Sequence, residues 1–63
     1  MSIVKKFRLK SNLTQNQIAR LSQLSVRNYQ KIENGIHLPR VDRAIAIAKV
    51  LNTTVEELFS DDK

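Results

Sequence analysis

LTQNQIARLSQLSVRNYQKIENG, running from Leu13 to Gly35, reads as two short helices joined by a tight turn. Thr14 followed by Gln17 is a capping box, in which the threonine hydroxyl and the glutamine amide satisfy orphan amides at a helix start. That predicts a helix over about 15–22 that buries Ile18, Ala19 and Leu21. Gln23-Leu24 turns the chain, with Leu24 pointing inward. Ser25 caps a further helix from Val26 to about Glu33, whose inner face is Tyr29, Ile32 and part of Val26. Asn34-Gly35 closes it, Gly35 taking the left-handed conformation that a glycine adopts without strain. The outer side of this second helix carries Arg27, Asn28, Gln30 and Lys31.

Outward from this core the helix signals stay dense and the strand signals weak. Ile3, Val4 and Phe7 form an apolar stripe on a first helix that ends near Ser11-Asn12, asparagine being suited to the left-handed closing position. Ile36 to Arg40 is a loop containing Pro39, the one proline. A fourth helix over 41–51 is apolar at Val41, Ala44, Ile45, Ile47, Ala48, Val50 and Leu51. That is too much for one stripe, so it reads as the central core helix. Asn52 suits its C-terminal cap. Thr54 with Glu57 makes another capping box for a short fifth helix through Leu58-Phe59. The tail Ser60 to Lys63 is expected to fray.

The expectation is a single all-α domain spanning residues 1–63, with five helices and its central motif at 13–35. A chain of 63 residues buries only about 60% of its unfolded surface and has one small core. It contains no cysteine, which removes disulfides and thiolate metal sites and fits a reducing, cytoplasmic setting. Ile3-Val4 is followed at once by Lys5-Lys6, so the start does not read as a signal peptide. No stretch is long enough to span a membrane. The net charge of +5 is unevenly spread. Residues 1–40 hold eight Lys/Arg against the single acid Glu33, whereas residues 41–63 carry a slight acidic excess. A basic front and a mildly acidic back suggest one face meant for a polyanion.

With Leu13-Thr14-Gln15, Ala19, Leu24-Ser25 and Ile32-Glu33-Asn34-Gly35 in register, the chain resembles the lambda-type phage repressor and Cro family. That family belongs to the broader group of xenobiotic-response-element-type helix-turn-helix regulators. The match continues through Pro39, Ile47-Ala48, Leu51-Asn52 and Val55-Glu56-Glu57-Leu58-Phe59, and so covers 7–59 without an internal gap. The resemblance implies a compact lambda-repressor-like domain that binds double-stranded DNA in the cytoplasm of a bacterial or phage-infected cell. Repressor or Cro-like transcription regulation is the expected role, with no cofactor and no small-molecule ligand.

The resemblance also implies residue roles. Gln15, in the first turn of helix two, matches a phosphate contact, and a helix start favours anions. Asn34 matches another backbone contact, with Ser25, Arg40 and Arg8 as further candidates; Lys5, Lys6, Lys10 and Arg43 follow. Base reading falls to Val26, Arg27, Asn28 and Lys31: arginine can pair bidentately with guanine, asparagine with adenine, and valine can touch a thymine methyl. Arg8 and Glu33 match a buried ion pair, which either sets Arg8 and Asn34 against the DNA backbone or only ties two helices together. Ile36, Leu38, Val55 and Phe59 match the region that builds a two-fold homodimer, formed either in solution or on DNA. The alternative from another class is an antitoxin-type or partner-dependent protein-interaction module on the same fold.

Two departures from the family pattern stand out. The turn between helices two and three usually has glycine where this chain has Gln23. Tyr29 fills an inward position more often held by isoleucine or valine. Its hydroxyl is expected to reach the surface from a packed ring, or else to bond a phosphate. An enzyme is not expected: His37 is the only histidine, and Glu56-Glu57 and Asp61-Asp62 read as solvated charges rather than a paired-carboxylate site.

Overall fold

In the computed structural model, which describes residues 2–59, the chain forms α1 (Ile3–Lys10), α2 (Gln15–Leu21), α3 (Val26–Glu33), α4 (Val41–Val50) and α5 (Val55–Phe59). Every described residue outside them is turn or loop. The predicted tail at 60–63 lies outside the described residues.

Local chemistry sets the boundaries. The Ser2, Thr14, Ser25 and Thr54 hydroxyls each accept the amide N–H three residues on, at 3.0–3.1 Å. At α2 the capping box is complete, because the Gln17 side chain also accepts from the Thr14 amide at 2.8 Å. At α5 only half of the expected box forms: the Glu57 carboxylate turns to the Thr53 hydroxyl. Arg40 occupies the N-cap of α4 and makes no side-chain cap.

The first four helices all end alike. The residue after each C-cap is left-handed: Asn12 (φ 59°), Gln23 (φ 61°), Gly35 (φ 80°) and Asn52 (φ 58°). The next amide then reaches back to the last turn, as in Leu13 N to Arg8 O and Leu24 N to Ala19 O. This double closure satisfies carbonyls that a helix end would otherwise orphan.

The core is assembled where α2 packs on α3 and α4, and α5 packs on α1 and α4. Ile18, Tyr29 and Ile47 are fully buried, with Val4, Ala19, Ile32, Ala48, Leu51 and Leu58 around them. Leu24 is half-buried against this cluster. Three expectations fail. Leu21 is 58% exposed, because α2 is only seven residues long and its buried side is already filled by Ile18, Ala19 and Ser22. On α4, Val41 and Ile45 are exposed, so this helix buries one stripe, Ala44, Ile47 and Ala48, rather than its whole circumference. Ile3 is likewise more exposed than its place in the predicted stripe implies.

Candidate nucleic-acid interface

Helix α3 presents two chemically different sides. Tyr29, Ile32 and Glu33 are buried, Val26 and Gln30 are half-buried, and Arg27, Asn28 and Lys31 are exposed. Ser25 and Asn34, at the two ends, are exposed as well. The exposed set therefore carries two cations and a side-chain amide on a single helix, a donor-rich surface without any acid.

What holds α3 at its angle is a polar network centred on Glu33. The Arg8 guanidinium donates from Nε to Glu33 Oε1 at 2.8 Å and from Nη2 to Oε2 at 3.4 Å, while Nη1 donates to the Leu13 carbonyl at 2.8 Å. The Tyr29 hydroxyl donates to Glu33 Oε1 at 2.7 Å, and Gln15 Nε2 donates to Oε2 at 2.9 Å. Gln30 Nε2 then donates to Gln15 Oε1 at 3.0 Å. Three helices meet at one carboxylate.

The electrostatics follow from these contacts. Burial alone would push the Glu33 carboxyl up, but donors from Arg8, Tyr29 and Gln15 outweigh it and hold the group below its ordinary range. Burial pushes the Tyr29 phenol up, and its bond to the Glu33 carboxylate adds to that shift. The same carboxylate, hydrogen-bonded to Arg8, raises the guanidinium against the opposing effect of burial.

Two expectations are corrected here. Tyr29 is wholly buried, so its hydroxyl neither reaches the surface nor is placed to meet a phosphate; the adjacent carboxylate has captured it. Arg8 is also buried, and each guanidinium nitrogen has an acceptor inside the protein, which removes it as a direct backbone contact. The sequence reading missed Gln30's inward bond. The four-residue spacing of Tyr29 and Glu33 puts those two on one face of α3, but no local pattern reveals that Gln30 meets Gln15.

Of the other candidate contacts, Arg40 and Arg43 come beside the start of α3. An open depression of about 510 Å³ is lined by Gln23, Ser25, Asn28, His37, Arg40 and Arg43, among others. Arg40 and Arg43 approach the Asp42 carboxylate at 3.8 and 3.7 Å. Such exposed pairs hold their partners weakly and leave both cations available. Lys5, Lys6 and Lys10 are exposed on α1, with the Lys10 ammonium 5.7 Å from the Phe7 ring centre.

Large apolar side chains are exposed along the 36–41 segment. Leu38 is 81% exposed, Val41 76% and Ile36 66%. Beside Leu38 lies a depression of about 210 Å³ formed with Pro39, Val41, Ala44, Val55 and Phe59. Val55 and Phe59 are half-buried against the core, so they shape this hollow and do not protrude from it.

Residues 4–58 match the family described as Helix-turn-helix. The chain belongs to that family. As a helix-turn-helix protein it is also 32% identical, over 60 residues, to an uncharacterised HTH-type transcriptional regulator of Archaeoglobus fulgidus. The alignment covers 95% of this chain and 84% of that relative. Among the described residues, no cluster of three His, Cys, Asp or Glu could hold a metal ion, and no helix is long and apolar enough to cross a membrane. The helix-turn-helix unit is α2, the turn at Gln23-Leu24, and α3.

Proposed function

We propose that this protein is a sequence-specific, DNA-binding transcriptional regulator that acts as a two-fold dimer on a near-palindromic operator. The observation that carries the reading is the exposed, acid-free side of α3, with Arg27, Asn28 and Lys31 outward while Tyr29, Ile32 and Glu33 lock the helix from behind. A helix so presented fits the major groove. Family membership and the relative's description support the same assignment.

Arg27 is assigned the leading base contact, with Asn28 and Lys31 beside it and Val26 at the edge toward a thymine methyl. Gln15, Ser25, Asn34 and Arg40 are assigned to the phosphate backbone, where they fix orientation without reading sequence. Two copies pairing through Ile36, Leu38 and Val41, over the hollow shaped by Val55 and Phe59, would set their α3 helices in successive major grooves about 34–36 Å apart. Promoter occlusion by the bound dimer is the expected regulatory act.

Selection from a randomised duplex pool tests the assignment. Recovery of a two-fold symmetric site supports it; recovery of no sequence preference refutes it. The exposed apolar face would equally serve a partner-dependent module, and sedimentation of the isolated protein separates the two. A monomer that remains a monomer on its selected site would favour the second.

A further inference from the structure

The acid-free side of α3 meets a carboxylate at its margin. Asp42, in the first turn of α4, is paired with Arg40 and Arg43, the two guanidinium groups that line the depression beside Ser25 and Asn28. Its Oδ1 accepts the Arg43 backbone N–H at 2.8 Å, which anchors the carboxylate to the helix. Arg40 Nε stands 3.8 Å from Oδ1, and Arg43 Nη1 stands 3.7 Å from Oδ2. Both separations exceed hydrogen-bond range, so Asp42 orients neither guanidinium. What it contributes to them is charge, at a distance where an ionic interaction persists even in water.

Helix chemistry supplies a competing account. An acid in the first turn offsets the positive end of a helix, and Arg40, the N-cap of α4, makes no side-chain bond there. That role alone concerns stability, and losing it would leave DNA affinity unchanged or lower. The anchored charge has the opposite consequence. A phosphate that approaches Arg40 or Arg43 meets two cations and an anion, and the Arg43 amide keeps that anion in place. We propose that Asp42 attenuates backbone binding: its carboxylate lowers the attraction of Arg40 and Arg43 for DNA phosphates on any sequence. A larger share of operator affinity then falls to the base contacts of α3. The proposal rests on the DNA-binding reading above and adds to it a residue that opposes binding.

Three substitutions in the full chain test it. Asp42→Asn removes the charge but keeps a carbonyl oxygen that can accept from Arg43. Asp42→Glu keeps the charge. Glu56→Gln makes the same change of net charge at an exposed position on α5. Affinities are measured on the selected operator and on a scrambled duplex across a salt series, with a thermal melt of each protein. Asp42→Asn is expected to bind both duplexes roughly three- to tenfold more tightly at low salt. Its slope of log affinity against log salt should steepen by up to about 0.9, the value of one further phosphate neutralised. Asp42→Glu should bind like the unsubstituted protein, and Glu56→Gln should gain less than Asp42→Asn. Tighter binding by a protein that melts no higher separates charge from stability.

Unchanged or weaker binding by Asp42→Asn would overturn the proposal. So would an equal gain from Glu56→Gln, which would make the effect one of net charge alone, or an equal gain from Asp42→Glu. If the unsubstituted protein binds neither duplex, the DNA-binding reading itself fails, an outcome distinct from all of these.

Discussion

Gln23 stands in the left-handed region at φ 61°, where a side chain with a Cβ costs roughly 1–2 kcal/mol. The same conformation at Asn12 and Asn52 is carried by a residue type that tolerates it, and at Gly35 by one without a Cβ. Gln23→Gly should therefore stabilise the protein by about 1 kcal/mol, after the greater unfolded-state freedom of glycine is counted. A thermal melt without any gain would contradict that account of the turn. Ser22 offers a second test, because its buried hydroxyl has no hydrogen-bond partner among the described residues. Ser22→Ala is expected to be neutral or stabilising by about 1 kcal/mol in chemical denaturation, since it removes an unsatisfied polar group. Glu33 is the opposite case: Glu33→Gln leaves Arg8 buried without its counter-charge, at about 3–5 kcal/mol. That is a large share of the few kcal/mol a domain of this size possesses.

The joined helices show how a titration reaches stability. Glu33's carboxyl is held below its ordinary value of about 4.3 by donors from α1, α2 and α3 itself. The stabilisation it gives is complete above the unfolded value and lost as pH falls through the lower folded value. The urea midpoint should thus decline below about pH 4, and Tyr29→Phe, lacking one donor, should show a shallower decline. Identical acid limbs for the two proteins would count against the network as drawn. At this scale much was legible beforehand. Ser25 and Thr14 mark helix starts by their hydroxyls, and Gly35 and the two asparagines mark helix ends, because caps are local chemistry written in a few adjacent residues. Leu21, Val41 and Ile45 were misplaced because periodicity reveals how many apolar faces a helix has, not which of them finds a neighbour. The Tyr29 hydroxyl and the Gln30 amide were unreadable for a related reason: their partners, Glu33 and Gln15, meet them only after three helices have docked.

Taken as a whole, the molecule brings its two proposed surfaces together at Leu38, which lines both the depression with Arg40 and Arg43 and the apolar hollow with Val41 and Phe59. Arg27, Lys31 and Arg40 belong to the proposed DNA side, while Ile36, Leu38 and Val41 belong to the proposed pairing side. Leu38→Glu puts a charge among the exposed apolar residues and should weaken self-association while leaving the melting temperature of the dissociated single chain unchanged, since Leu38 is 81% exposed there. An unchanged sedimentation profile of a protein that is dimeric beforehand would contradict this pairing surface. Whether α3 reads sequence is decided by selecting from a randomised duplex pool with the unsubstituted protein and with Arg27→Ala, at low and near-physiological salt. A two-fold symmetric site that survives the higher salt is expected, with a loss of about 1–3 kcal/mol of discrimination at one symmetric pair of positions in the variant. Sequence-blind binding that collapses with salt, the same for both proteins, would reduce the interaction to phosphate attraction and contradict base reading by α3.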